Sequence, residues 1–351
     1  MKIGYLHIGE PEHGIHRYSK LLAEEAKTRS SLTVLEATVS LTGDLSKDRS
    51  SLIQAAQQLS QADVVHFQYN SLIWGIGKAH LYNLKAFLTH CSAPLVATLH
   101  DIFYTPSFAR LFEDWRAKKP GISIRDLIRA ALRDRFSPRI LALQQVVQQT
   151  QALLVCTHEE SRRLTERIKT EKLSVIPLFI ETRNLQIDRT EARRSLSVEP
   201  FTVLTLLGFI YAGKGHLLLV QALAQLPETV KVFFAGKVSP GHEAYLAEIL
   251  ETAEQLGVRD RIHVTGYLSE TELEQYLIAT DLAVCPFRQT SASASMATWI
   301  SMNRPILAFN IPQVAEYNAL QPNAILTFSS YTPEAFVQAI QQAISQPKEH
   351  P

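Results

Sequence analysis

The loop that follows Pro286 gathers the side chains best suited to hold an anion. Arg288 supplies a fixed cation, and Thr290, Ser291, Ser293 and Ser295 supply hydroxyl donors just before a helical stretch that begins near Ala294. A helix start points unpaired backbone N–H groups and the positive end of its dipole at whatever sits there. A serine in this position is ordinarily a helix cap, but four hydroxyls with an arginine beside them favour an anion site. Lys214 makes a second such feature. Gly213 and Gly215 bracket it at the opening of another helix, so its ammonium is free to reach a phosphate, and the helix dipole would repel it unless an anion were present. A charged hydrogen bond of this kind contributes about 1.5–3 kcal/mol.

These side chains need a scaffold, and the chain reads as two parallel-sheet domains. Strand-like runs alternate with helical patterns throughout. In the first half the expected strands are 2–8, 32–39, 63–67, 95–99, 152–156 and 173–177, with helices near 15–27, 52–61, 81–89, 138–151 and 159–168. The charged stretch 181–194 reads as a relaxed connection. Strands are expected again at 202–207, 230–235, 262–265, 282–286, 306–309 and 324–328, with helices near 215–225, 242–256, 270–280, 294–302 and 333–345. The expected domains are therefore 1–180 and 181–351, each α/β, Rossmann-like and doubly wound. Such sheets bind ligands at their strand carboxyl ends, here on either side of a central cleft.

Composition narrows the class. At 351 residues the chain exceeds the size at which one core stops growing. Lys and Arg total 35 against 34 Asp and Glu, so no global field recruits nucleic acid. Cys91, Cys156 and Cys285 lie in or near apolar runs without metal or disulfide spacing, which fits small buried hydrophobes in a reducing compartment. MKIGYLHIGE reads as a first strand rather than a signal peptide, and no apolar run reaches the roughly 18 residues of a membrane span. The expected location is cytoplasmic, with peripheral membrane contact as the variant.

Several motifs in order resemble the GT-B glycosyltransferases of the large retaining family-four group. LLGFIYAGKGHLLLVQAL, from Leu206 to Leu223, resembles the strand, loop and Lys-Gly helix start that contacts donor phosphates. VFFAGK resembles the next glycine turn, IHVTGYLSETELEQYLIATDLAVCP the segment that holds the nucleotide base, and NRPILAFNIPQVAE the final helix-to-strand turn. HGIHRYSKLLAEEA resembles the glycine loop and helix of the first domain. The resemblance implies a first domain that binds the acceptor and a second that binds a nucleotide-diphosphate sugar.

By the same resemblance His100 and Asp101, closing the strand PLVATLHDI, stand at the reacting centre with Lys214 and Arg288. Gly14, Gly208, Gly236, Tyr267 and the loop Thr290, Ser291, Ser293, Ser295, together with Thr298, line the donor site. A glycine at position 14 lets backbone amides approach a phosphate, and the helix beyond it supplies a positive end. The implied reaction moves a sugar from the nucleotide to a glycan or lipid-linked acceptor with retained configuration, and the departing diphosphate takes the acceptor's proton. It requires no cofactor and no metal, and His13 and His16 lack a third ligand.

Two positions depart from the family's pattern. Phe209 stands where many relatives carry a phosphate-binding arginine, and Thr290 and Thr298 stand where the Glu-x7-Glu signature places its carboxylates. Arg288 is the expected substitute for the missing arginine. The alternative function is a GT-B-like protein that binds a nucleotide or a partner without catalysis. A Rossmann dehydrogenase fits less well, since GIGKAH at Gly75 lacks the glycine spacing.

The segment from Arg110 to Arg139 is the least family-like, with nine Lys or Arg against four Asp or Glu. Within residues 122–136, Ile124, Leu127, Ile128, Leu132 and Phe136 recur at helical spacing. One greasy side and one cationic side are expected. Such a helix covers a core, lies on anionic lipid or receives an anionic acceptor.

Overall fold

A computed structural model describes residues 1–11, 13–100, 102, 105–181, 183, 185–290 and 292–345. The chain divides into two compact units, Met1–Pro177 and Leu178–Pro351.

In the first unit the elements run β1 Lys2–Ile8, α1 Gly14–Lys27, β2 Thr33–Val39, α2 Leu45–Leu59, β3 Val64–Tyr69, α3 Lys78–His90 and β4 Leu95–Leu99. Then come α4 Phe108–Arg116, α5 Ile124–Phe136, α6 Pro138–Gln149, β5 Ala152–Val155, α7 His158–Thr165 and β6 Leu173–Val175. The six strands form one parallel sheet in the order β2-β1-β3-β4-β5-β6. Direction of winding reverses between β1 and β3, the flavodoxin-like switch point. The core is built on Leu6, Phe67, Trp74, Leu84 and Phe87, all fully buried.

The second unit holds α8 Arg189–Ser195, β7 Thr202–Leu207, α9 His216–Leu223, β8 Val230–Ala235, α10 Glu243–Gln255, β9 Ile262–Val264, α11 Glu270–Ala279 and β10 Leu282–Cys285. It ends with α12 Ala294–Ser301, β11 Ile306–Phe309, α13 Pro312–Leu320, β12 Leu326–Phe328 and α14 Pro333–Ser345. Its parallel sheet has the order β12-β11-β10-β7-β8-β9. That is the dinucleotide-binding order, with the switch point between β7 and β10. Leu219, Phe234, Ile249 and Phe336 fill one face of the sheet, and Phe233, Phe287, Met296 and Trp299 the other.

The observed strands match the expected runs closely, because each is a short apolar stretch between turn signals. Helices differ where polar side chains do the work. Helix α2 begins at Leu45 rather than Leu52. Its cap Asp44 accepts from Ser46 and Lys47, while Asp48 turns back to accept from Thr42 and Gly43. Helices α4 and α13 were not expected at all. The charged stretch 181–194 is a connection only in its first part. It carries α8, and Arg189 and Arg193 both pair with Asp281, which also accepts from the Val203 amide. Arg193 further donates to the carbonyls of Ala279, Val198 and Phe201. The three cysteines are free thiols, all buried. Among the described residues no helix is long and apolar enough to cross a membrane.

Candidate functional site

The switch point of the second unit draws together most of the side chains singled out in the sequence. Strand β7 ends at Leu207 and β10 at Cys285, next to each other in the sheet. Beyond β7, Gly208 has a φ of +108° and Gly215 a φ of +94°. A Cβ at Gly215 would lie 2.7 Å from Cγ and 2.8 Å from the carbonyl oxygen of Pro286. Only glycine lets the start of α9 press against the end of β10 in this way. That contact turns Lys214 inward.

Lys214 is buried, its Nζ lies 3.3 Å from Ser295 Oγ, and its ammonium sits 5.2 Å from the centre of the Phe287 ring. A Cβ on Gly208 would lie 3.2 Å from the same Nζ. No carboxylate pairs with it among the described residues, and burial pushes its pKa down. Desolvation disfavours the charged form of a buried lysine, and an anion beside it would favour that form. The neighbouring Cys285 thiol is pushed up to about 12 by its own burial and stays neutral. His216, the first residue of α9, packs edge-on to Phe234 at 4.8 Å with no hydrogen-bond partner on either ring nitrogen among the described residues. Burial pushes it down to about 3.

The hydroxyl loop divides its labour. Ser293 is the N-cap of α12, accepting from the Met296 amide at 3.2 Å, and it shares a 3.0 Å bond with Ser295. Ser295 in turn receives Lys214. Thr298 donates to the Ala294 carbonyl at 3.0 Å, so its hydroxyl proton is held within the helix. Thr290 is half-buried in the loop. Ser291 and Asp101 lie outside the described residues.

Arg288 is exposed, with its guanidinium 5.1 Å from the centre of the Tyr331 ring. The expected substitution of Arg288 for the arginine absent at Phe209 has a rival. An isolated bridge between Ile210 and Val238 prolongs the pairing of β7 with β8. It sets Lys237 beside Phe209, with the ammonium 5.9 Å from the Phe209 ring centre and 5.3 Å from that of Tyr267. Lys237 stands inside the VFFAGK motif but was not singled out from the sequence. Nothing local distinguishes it from a solvated lysine, and only the bridge brings it to Phe209. Gly236 is required by close approach, since a Cβ there would lie 2.3 Å from the Gly208 carbonyl oxygen. Tyr267 is exposed in the loop beyond β9.

A cavity of about 390 Å³ opens at the other end of this sheet, lined by Lys231, Arg261 and His263 among others. It lies at the amino ends of β8 and β9, where doubly wound sheets do not bind their ligands. Arg261 is already held by the carbonyls of Val230, Leu226 and Pro227.

In the first unit Gly14 is the first residue of α1, at the carboxyl end of β1 and the switch point. No described atom lies within 4 Å of where its Cβ would be, so the packing of the unit does not itself demand glycine. His13 caps the helix by accepting from the Ile15 amide, and His16 Nδ1 bonds the Gly9 carbonyl at 3.0 Å. Among the described residues no three His, Cys, Asp or Glu side chains are grouped as a metal site.

His100 follows β4 and is buried, its amide bonded to the Tyr69 carbonyl and its ring edge-on to Tyr18 at 5.3 Å. His100 Nε2 lies 2.9 Å from Gln68 Oε1, and Gln68 Nε2 lies 3.5 Å from His66 Nε2, which meets Thr98 Oγ1 at 2.8 Å. Burial pushes His66 down to about 4, so it is neutral at neutral pH, with one ring nitrogen a donor and the other an acceptor. The Gln68 oxygen faces His100, whose Nε2 donates to it. The sequence did carry a signal for this row. His66, Gln68 and Asn70 alternate in VVHFQYN, and a parallel strand covered on both faces is expected to be apolar throughout.

Residues 201–346 match the family described as Glycosyl transferases group 1. The D-inositol 3-phosphate glycosyltransferase of Xylanimonas cellulosilytica is 26% identical over 280 residues, which span 76% of this chain and 61% of that protein. Anabaena HepE, solved in complex with UDP and glucose, superposes with a TM-score of 0.70 at 17% identity, covering 99% of this chain and 90% of its own. Sucrose-phosphate synthase from Thermosynechococcus elongatus gives a TM-score of 0.70 at 16% identity, with 99% and 90% covered.

By fold the chain is a GT-B protein, two parallel doubly wound units in series. Within that fold it resembles the family-four glycosyltransferases, and its second unit carries the group 1 sequence signature.

Proposed function

We propose that the protein is a retaining glycosyltransferase that takes a sugar from a nucleotide-diphosphate donor held by the second unit. One observation carries the reading. Lys214 is a buried ammonium with no carboxylate partner among the described residues, set at a switch point between two glycines and a serine-capped helix start. A cation left in that condition is unfavourable until an anion arrives.

In this reading the diphosphate lies over Gly208 and Gly236, where backbone approaches closely, against Lys214, Ser295 and the start of α12. Lys237 supplies the cation that Phe209 does not, and Arg288, Tyr267, Thr290, Ser291 and Ser293 complete the donor site, while the Thr298 hydroxyl stays bonded within its own helix. His100, with Asp101, and Gly14 act on the sugar and acceptor side, as the family resemblance implies. Stabilising the departing diphosphate lowers the barrier, and the diphosphate oxygen removes the acceptor hydroxyl proton on the face it leaves. The acceptor is a glycan or lipid-linked sugar. HepE was solved with UDP and glucose, which supports UDP-sugars as the first donors to try.

A second reading is nucleotide binding without transfer. It is favoured by Thr290 and Thr298 in place of two carboxylates, and by the Thr298 hydroxyl being bonded to Ala294. Calorimetric titration with UDP, GDP and ADP, on the protein and on Lys214→Ala, tests the site. The expected outcome is binding of one nucleotide that weakens by roughly tenfold or more in the variant. Equal affinity in the two proteins would remove Lys214 from the site. Sugar transfer from the selected nucleotide-sugar then separates the two readings.

A further inference from the structure

Four polar side chains meet on one face of the first sheet, near its carboxyl end. Side chains alternate along a strand, so His66 and Gln68 of β3 point to the same side, and the register sets Gln68 opposite Thr98 of β4. His100 comes two residues after Thr98. All four are buried, Gln68 to 1% exposure. The backbone of Gln68 is committed as well, since its carbonyl accepts from Trp74 Nε1 at 3.0 Å and Trp74 is fully buried in the core.

The Gln68 amide has an oxygen that only accepts and a nitrogen that only donates. Its oxygen lies 2.9 Å from His100 Nε2, and its nitrogen lies 3.5 Å from His66 Nε2. The first contact needs a proton on His100 Nε2, and the second needs His66 Nε2 to be the accepting nitrogen of that ring. His66 is neutral at neutral pH, so it has one accepting nitrogen to offer. A single amide therefore ties the proton position of one ring to that of the other. Tyr18 packs edge-on to the His100 ring at 5.3 Å. That contact restricts how the ring turns but does not distinguish its two nitrogens.

We propose that Gln68 is a positioning residue, which fixes His100 as the Nε2–H tautomer and so assigns Nδ1 as the ring nitrogen that accepts from a substrate hydroxyl. In a neutral imidazole the nitrogen without the proton is an acceptor, and the partner of one nitrogen decides the state of the other. Without Gln68 the proton divides between the two nitrogens, and in part of the molecules a substrate hydroxyl meets a donor where it needs an acceptor. The consequence for substrate rests on the transfer reaction proposed above, whereas the tautomer does not.

Nitrogen-15 spectra of the imidazole groups, with His100 assigned by its loss in His100→Asn, test the bond without any substrate. At neutral pH His100 should carry its proton on Nε2 alone. Gln68→Met, similar in length and unable to accept, should divide it between the two nitrogens. Transfer follows: kcat of Gln68→Met should fall by about tenfold to a hundredfold, while nucleotide affinity, set in the second unit, stays as it was. Gln68→Glu keeps an acceptor in place but sets a negative charge beside Nε2. His100 then takes its second proton at higher pH, and the acid limb of the pH–rate profile moves up with it. That variant carries the test if Gln68→Met does not fold. A proton on Nδ1 in the unaltered protein would overturn the proposal, as would a single Nε2–H tautomer persisting in Gln68→Met. So would an unchanged kcat once the tautomers have mixed, or an acid limb that Gln68→Glu leaves in place. If no nucleotide-sugar supports transfer, the proposed reaction fails, and the spectra still decide the bond between Gln68 and His100.

Discussion

Beneath its strands the first unit buries a row of histidines, whereas the second buries a lysine at a gap between two strands. His7 meets Ser19 at 2.8 Å, His66 meets Thr98 at 2.8 Å and His80 meets the Tyr69 hydroxyl at 3.0 Å. These histidines are buried but hydrogen-bonded, and a satisfied network specifies one arrangement of the groups that it touches, His100 among them. The second unit leaves buried Lys214 with one serine as its hydrogen-bond partner among the described residues. The first arrangement orients a side chain, and the second leaves a buried lysine with no carboxylate partner among the described residues.

Acid should separate the units most. Burial holds His7, His66 and His80 each down to about 4, against an unfolded value of about 6.5. Between those values the unfolded chain binds protons that the folded unit refuses. Stability is therefore fully present above the unfolded value and is lost as pH falls toward 4. The loss is on the order of 1.4 kcal/mol per histidine per pH unit. Among the described histidines of the second unit, His216, held to about 3, and the more exposed His263 are shifted the same way. Hydrogen exchange resolved by peptide, run at neutral pH and at about pH 5, should find the first unit opening earlier. Simultaneous opening would break the comparison.

Gly236→Ala attacks the other side. The added Cβ meets the Gly208 carbonyl across two strand ends tied by the β7–β8 ladder. A loss of about 3 kcal/mol from the second unit alone is expected, visible as one of two calorimetric transitions moving down. If both transitions moved together, the units would not be independent.

Lys214→Met sharpens the contrast more gently. Without ligand it should raise the stability of the second unit by about 1 kcal/mol, since an apolar side chain replaces a buried charge. Nucleotide affinity should fall at the same time. A less stable variant would mean that the bond to Ser295 is structural. Smallest of all, Thr298→Ala should change stability by less than about 0.5 kcal/mol and leave nucleotide affinity as it was. Any measurable loss of affinity would show that its hydroxyl reaches the ligand.

Much of the fold was legible because it rests on local periodicity. The strand runs and the longer amphipathic helices stand out as apolar patterns, and the glycines around Lys214 mark the opening of α9. What escaped were elements held by polar contacts, such as the first turn of α2 on Asp44 and α8 on its two arginines. Of the candidate site, Lys214 and Ser295 meet as side chains, and Ser293 sets the helix start that Ser295 follows. Lys237 and Gln68 were missed because each owes its place to a neighbouring strand.

From the order of residues alone come the alternation of strands and helices, the glycine positions and the choice of Lys214 and the serine loop as candidates. These follow from the backbone's short-range preferences and from burial patterns within single elements. Only the tertiary structure decided which loops become neighbours, because strand order depends on contacts between segments far apart in sequence. It alone set β10 beside β7, closing Ser295 on Lys214. It alone turned Ile124, Ile128, Leu132 and Phe136 outward, since which face of an amphipathic helix is buried depends on how it is docked and not on its own periodicity.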